Sequence, residues 1–234
     1  MNAPWIDGPR ELIQHAVDHL DLGGDFDRRI AMVSIDNAVE LIIKTYLGLP
    51  ERTRGSKGPS RRELAEASES FPMLLDVLQK YSANQIIGFS LDDIEWYHRI
   101  RNQLYHSGNG ITVELAKIET YLELCIILFK SLFGTSPVLR RTGALHTMTG
   151  QFIQLWNTFD EKLHEKLPPK DGPAYYWKRD YLAGISPEAA LLWESLVAFR
   201  TELVYGLSEQ NTKLIKAKID DLKKLLAIAK IDIT

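Results

Sequence analysis

The chain has 234 residues, of which 45% are hydrophobic and 25% are charged, as in ordinary soluble globular proteins. A formal net charge of −3 excludes the broad positive field of a general nucleic-acid binder, so any such contact must be local. The single cysteine, Cys125, lies in an apolar run and cannot form an internal disulfide, so we expect a buried thiol. That run is too short to span a bilayer and no secretory signal is visible, so we expect a cytoplasmic protein with no membrane partner.

Apolar residues recur with helical spacing in almost every segment, and none alternates like a strand, so we predict an all-α protein. In the first part of the chain, Ser90 begins a capping box, Thr112 is an N-cap, and Gly108 and Gly110 separate two helices. A glycine-containing segment, residues 51–62, is predicted to be a loop. The predicted helices are about residues 9–22, 26–47, 62–81, 90–106 and 113–132.

Gly134 and Pro137 mark a predicted boundary between two domains, residues 1–136 and residues 137–234. In the second, a helix over about residues 149–167 is followed by a connection rich in Pro, Gly and Tyr. Ser186 then caps another helix, with Pro at its first position, and a last helix covers about residues 210–229.

The end of the fourth predicted helix reads Arg101-Asn102-Gln103-Leu104-Tyr105-His106. In metal-free RNA cleavage the 2′-hydroxyl attacks the phosphorus while a base and an acid move protons and a cation holds the phosphate. Arg101 is suited to the phosphate, His106 to proton transfer, and Asn102 to a hydrogen bond with the phosphate or a partner histidine. Residues five apart on a helix point about 140° apart. The site therefore needs the helix to unwind near His106 or a second motif to face it.

The same local plan recurs in the second domain, where Arg200 and Tyr205 occupy the places of Arg101 and His106. Each motif is followed by a break and a long closing helix. We interpret the second domain as a diverged internal repeat.

Several other residues are candidates for the same site. Asp36 and Glu40, one helical turn apart, are each able to reach Arg101 from a neighbouring helix, although Glu40 is equally suited to pair with Lys44. His15 and His19 have the spacing of a metal pair, but a packing role is favoured and we expect no metal. A basic segment within residues 51–62 is either an RNA-phosphate patch or a solvated loop. Its cations are Arg52, Arg54, Lys57, Arg61 and Arg62.

The Arg-polar-x3-His motif resembles the HEPN superfamily of small helical domains, over about residues 10–134 and more weakly over 149–230. The resemblance implies two HEPN-like helical bundles, the second degenerate because Thr201 and Tyr205 replace the polar residue and the histidine. It also implies a metal-independent endoribonuclease without a cofactor, in bacterial stress or phage defence. Arg101, Asn102 and His106 would be catalytic, and Asp36, Glu40 and Tyr105 would support them.

Members of this superfamily usually form homodimers in which two motifs meet, and they occur with antitoxin or defence-complex partners. The alternative function is a non-catalytic helical interaction or nucleotide-sensing module of a larger defence complex. The sequence leaves open the RNA target, the trigger or antidote, and whether a second chain or the second domain completes the site.

Overall fold

The computed structural model describes residues 4–106, 113–140, 148–167, 173–207 and 211–232, and only the backbone of Tyr105 and His106. These residues form α-helices and short 3₁₀ turns with no β-strand among them, which confirms the all-α prediction. None of the helices in these ranges has the length and apolar character needed to cross a membrane. The α-helices are α1 (Asp7–Leu22), α2 (Asp25–Gly48), α3 (Glu51–Arg54), α4 (Arg61–Ala67), α5 (Phe71–Ser82), α6 (Leu91–His106), α7 (Leu115–Phe133), α8 (Met148–Lys166), α9 (Ala174–Ile185), α10 (Pro187–Tyr205) and α11 (Thr212–Ile228).

The chain divides into two compact units, Met1–Leu145 and His146–Thr234. Helices α1 to α7 belong to the first unit and α8 to α11 to the second. The division comes later in the chain than the predicted one at Gly134 and Pro137. Gly134 instead ends α7 in the left-handed conformation, and its N–H donates to the carbonyl of Lys130 at 2.8 Å.

Local sequence signals account for several helix ends. Gly23 ends α1 with a φ of 75°, a left-handed conformation that glycine adopts without strain. Ser186 caps α10 as predicted, because its hydroxyl accepts a hydrogen bond from the N–H of Ala189 at 3.1 Å. Ser90 likewise accepts the N–H of Asp92 at the start of α6. Helix α7 begins at Leu115, and the predicted cap Thr112 lies outside the described residues, as do Gly108 and Gly110.

Three predicted segments differ from the structure. The loop over residues 51–62 contains the single-turn helix α3 and the start of α4. The predicted helix over 62–81 is two helices, since the chain turns at residues 68–70 before α5 begins. The predicted connection before Ser186 contains α9, which buries Trp177 and Leu182 and packs on α10. Tertiary packing of large aromatic residues stabilises a helix there despite their modest helical propensity.

Helices α5 and α6 run in opposite directions. Phe71, the first residue of α5, stacks on His98 in the second half of α6, with ring centroids 4.0 Å apart. Further along α5, Gln79 lines a groove together with Leu91, the first residue of α6. The start of one helix therefore lies beside the later part of the other.

Helices α5 and α6 both pack against α2. The contacts at the end of α5 show that it runs in the same direction as α2, and α6 therefore runs opposite to α2. The end of α5 contacts α4, because Tyr81 donates to Glu63 at 2.8 Å. Leu64 of α4 in turn lies against Gly48, the last residue of α2. From Asp36 to Gly48, α2 rises by about 18 Å. The basic segment that follows α2 and the His106 end of α6 thus lie toward opposite ends of the first unit.

Candidate functional site

A fully buried carboxylate joins three helices of the first unit. Asp36 of α2 has no exposed surface. The Nδ1 atom of His98 lies 3.1 and 3.0 Å from its two oxygens. The hydroxyl of Tyr121 on α7 donates to Oδ1 at 2.9 Å, and Nε of Arg101 lies 3.3 Å from Oδ2. We call these four residues the Asp36 cluster. Its contacts compensate the cost of burying the carboxylate.

The guanidinium of Arg101 is held from several sides and still reaches the surface. Its Nη1 donates to the side-chain oxygen of Asn102 at 3.0 Å, and its Nη2 donates to that of Asn37 at 3.2 Å. The side chain is 23% exposed. A fixed, partly exposed guanidinium presents its donors in the planar geometry that matches a phosphate. Asn102 orients Arg101 through its side-chain oxygen, and its bond to a phosphate or a partner histidine stays a prediction.

The environment of Asp36 keeps the neighbouring acidic groups protonated. Burial, followed by the charge of Asp36, raises the pKa of Tyr121 well above its usual value near 10, so the phenol remains a donor. Tyr97 of α6 stacks on it with ring centroids 4.6 Å apart. Burial, with the charges of Asp36 and Glu123, raises the pKa of the Cys125 thiol as well. Cys125 is a buried free thiol, as predicted.

Of the two acidic residues predicted to reach Arg101, only Asp36 does so. Glu40 pairs with Lys44 on the same helix and remains partly exposed. It lies one turn farther along α2, in the direction away from the end of α6. The structure therefore shows Glu40 paired with Lys44 and not with Arg101.

The backbone of α6 is helical through His106, so the helix does not unwind before that residue. On a continuous helix, positions 101 and 106 are rotated by about 140° and separated by about 7.5 Å along the axis. The side chains of Tyr105 and His106 lie outside the described part. Up to His106 the backbone shows no local unwinding, and a second motif facing the site stays a prediction.

Three residues of the site were missed by sequence reasoning: Asn37, His98 and Tyr121. His98 carried a usable signal, because it lies three residues before Arg101 and so on the same side of the helix. Asn37 stood out as a polar residue among apolar neighbours of α2. Tyr121 gave no signal, because a tyrosine within an apolar helix usually indicates packing alone.

Two of the five cations in the basic segment have structural partners. Arg54 donates to the carbonyl of Leu47 at 2.8 Å and to that of Ser56 at 3.2 Å, which satisfies the end of α2. Arg62 pairs with Glu66 on α4. The other three are exposed and have no ion pair within the described residues; they are Arg52, Lys57 and Arg61.

The predicted second motif lies at the end of α10. Arg200 and Tyr205 are both partly exposed, and Tyr205 is the last residue of the helix. Thr201 donates its hydroxyl to the carbonyl of Val197 at 2.9 Å, so this hydroxyl bonds within the helix. Gly206 then ends the helix in the left-handed conformation.

The two histidines of α1 contact side chains of α2. His15 Nδ1 lies 2.9 Å from the hydroxyl of Ser34, and His19 Nδ1 lies 2.8 Å from Asp27. Within the described ranges, no three His, Cys, Asp or Glu residues are arranged to hold a metal ion.

Comparison of the chain with protein-family models, with curated proteins and with solved structures returned no match.

Proposed function

We propose that this protein is a metal-independent endoribonuclease of the HEPN type, acting in bacterial stress or phage defence. The observation that carries the proposal is the guanidinium of Arg101, which is partly exposed and anchored on buried Asp36. It stands in the motif that ends α6 at His106. An anchored cation stabilises the charge that develops on the phosphorane without having to reorganise during the reaction.

The site is completed by a second copy of the motif in a homodimer. One histidine cannot readily serve as base and acid in the same step, and the continuous α6 separates positions 101 and 106 by a large rotation. The second motif of this chain offers Tyr205, whose phenol is a poor base at neutral pH. Two copies of His106 would supply both proton-transfer roles.

A cleavage assay in the presence of EDTA tests the proposal. His106→Ala should reduce cleavage of single-stranded RNA by about 10²- to 10⁴-fold, the usual contribution of a general acid or base. His164→Ala is a matched control, because His164 also lies in the last turn of a helix, α8, but outside the motif. Cleavage that requires added Mg²⁺, or that survives His106→Ala, would contradict the mechanism. An inactive wild-type protein would favour the non-catalytic interaction or nucleotide-sensing function.

The dependence of the cleavage rate on protein concentration tests the homodimer. If two motifs form one site, the cleavage rate should rise with the square of the protein concentration below the dimer dissociation constant. Sedimentation velocity should show a dimer at higher concentrations. A monomer with full activity would contradict the shared site. An antitoxin or defence-complex partner is a further proposal, and co-purification from the native host tests it.

We predict that the basic segment contributes to RNA affinity but not to the chemical step. Replacing Arg52, Lys57 and Arg61 by Ala should weaken binding and reduce the slope of log K against log salt by about 2, at about 0.7 per phosphate contact. Cleavage of bound RNA should be unchanged, since this segment lies toward the opposite end of the unit from residue 106. Lys223→Ala is the control, because Lys223 is an exposed cation on α11, outside the basic segment. Unchanged binding at low salt would contradict the prediction.

A further inference from the structure

We infer that His98 is a second catalytic residue of this site and acts as the general base through its Nε2 atom. The inference rests on the proposed function and extends it, because His98 lies outside the motif. It supplies a proton acceptor from the same chain and the same helix as Arg101.

The hydrogen bonds of His98 determine which nitrogen is available. An ionised carboxylate only accepts, so Nδ1, at 3.0 and 3.1 Å from the oxygens of Asp36, carries the proton. Nε2 then has a free lone pair, and it has no hydrogen-bond partner among the described residues. The His98 side chain is 16% exposed while Asp36 is fully buried. A buried carboxylate behind an imidazole whose other nitrogen is available is the arrangement that orients a base.

His98 lies on the side of α6 that carries Arg101. Positions 98 and 101 are about 60° apart around the helix, whereas positions 101 and 106 are about 140° apart. Nδ1 of His98 and Nε of Arg101 both lie within 3.3 Å of the same oxygen of Asp36. Phe71 stacks on the imidazole with an interplanar angle of 12°, which fixes the plane of the ring. A phosphate bound to Arg101 would therefore lie close to the ring of His98.

In the proposed step, one proton passes to His98 and one is supplied by His106. Nε2 of neutral His98 accepts the proton of the 2′-hydroxyl, and the 2′-oxygen forms a bond to phosphorus. The bond between phosphorus and the 5′-oxygen breaks, and that oxygen takes a proton from the imidazolium of His106. The products are a 2′,3′-cyclic phosphate and a 5′-hydroxyl, and His98 then returns its proton to solvent. In this scheme His98 replaces one of the two His106 residues of the dimer as the base, and His106 of the second copy is needed only as the acid, a role that the helix dipole favours by stabilising its charged form.

The competing interpretation is that His98 only holds Asp36 in place. The variant His98→Asn distinguishes a catalytic role from a purely structural one. The amide of asparagine can still donate to Asp36 from a position close to that of Nδ1, but it cannot accept a proton from the substrate. The assay is single-turnover cleavage of a short RNA in EDTA. Binding of its 2′-deoxy analogue and the thermal unfolding midpoint are measured alongside. His164→Asn is the matched control.

We expect His98→Asn to lower the cleavage rate about 10²- to 10⁴-fold. Affinity for the 2′-deoxy analogue should change by less than about twofold. Cleavage within about threefold of the wild-type rate would overturn the inference and leave the proposed function intact. An inactive wild-type protein would overturn both.

A measurement on the wild-type protein covers the case in which His98→Asn does not fold. Two-bond ¹H–¹⁵N spectra of the histidine rings should show the proton of neutral His98 on Nδ1. The Nε2 resonance should shift when the 2′-deoxy analogue is added. A proton on Nε2, or no shift with saturating analogue, would overturn the inference.

Discussion

Each unit of the protein buries an ion pair between two helices, but the two pairs differ in what reaches the surface. In the first unit, Asp36 is fully buried while Arg101 and His98 are partly exposed. In the second, Lys178 of α9 donates to Asp160 of α8 at 2.6 Å, and the two side chains are only 5% and 12% exposed.

This difference distinguishes a structural ion pair from one whose members can take part in catalysis. When both charges are buried, as in the Asp160–Lys178 pair, neither can approach a ligand, and the pair joins α8 to α9. When only the carboxylate is buried, as with Asp36, it orients Arg101 and His98, which are still exposed enough to contact a substrate. Partly exposed polar and charged groups of the second kind are the ones able to contact a ligand.

The largest effect should come from breaking the pair in the second unit. Lys178→Met leaves the Asp160 carboxylate buried without its cation and should lower the free energy of unfolding by about 3–5 kcal/mol. The double variant Asp160→Leu/Lys178→Met should recover most of that loss, since an apolar replacement also removes the desolvation penalty. Urea denaturation measures both. RNA cleavage by the double variant should match wild type; a double variant as unstable as the single one would contradict a purely structural role.

A smaller effect, confined to activity, should come from the first unit. Arg101→Lys keeps a positive charge but loses the planar fork held by Asn37 and Asn102, so cleavage should fall about 10²- to 10³-fold. The thermal midpoint should change little, because lysine keeps a positive charge beside the buried Asp36 carboxylate. Arg99→Lys is the control, as Arg99 lies on the same helix, is exposed and, within the described residues, pairs with Glu95 alone. Equal losses in both variants would mean that α6 itself had been disturbed.

The smallest effect should come from the phenol that supports Asp36. Tyr121→Phe removes one hydrogen bond to a buried carboxylate and should lower the free energy of unfolding by about 1.5–3 kcal/mol at pH 7. Tyr46→Phe is the control, because the Tyr46 hydroxyl is buried with no hydrogen-bond partner in the described part of the chain. A similar loss in both variants would show that Asp36 does not depend on Tyr121.

The same pair of variants should differ in alkaline solution. Because folding raises the pKa of Tyr121, its stabilising contribution is complete below the unfolded pKa near 10 and declines as the pH rises above that value. Above about pH 10 the wild-type protein and Tyr46→Phe should lose stability more steeply than Tyr121→Phe. Parallel curves for all three proteins would contradict the raised pKa.

Helical periodicity and capping signals were sufficient to predict the all-α fold and many helix ends. Gly23 and Ser186 act as their sequence context indicates. Helix α9 was missed because it is stabilised by tertiary packing. Trp177 and Leu182 are buried against residues that are distant in sequence, and the local sequence pattern does not reveal those contacts. The break before Phe71 was missed for a similar reason, because residues 62–81 remain compatible with one helix until packing separates them.

Within the site, the motif identified Arg101, and one-turn spacing on α2 offered both Asp36 and Glu40 as partners, of which the structure shows Asp36. The role of His98 could not be derived, because it depends on which of its nitrogens faces Asp36 and on the stacking of Phe71, both set by the packing of three helices. The choice between Lys44 and Arg101 as the partner of Glu40 likewise depends on the direction in which α6 crosses α2.

The distribution of aromatic residues makes the two units spectroscopically distinguishable. Of the five tryptophans, Trp156, Trp177 and Trp193 are buried in the second unit, whereas in the first Trp5 is 41% exposed and Trp96 is partly exposed. Changes in tryptophan fluorescence during denaturation will therefore be dominated by the second unit, while the rate at which Cys125 reacts with a thiol reagent reports opening of the first. Following both signals in one urea series would show whether the units unfold together, without a label or a truncation.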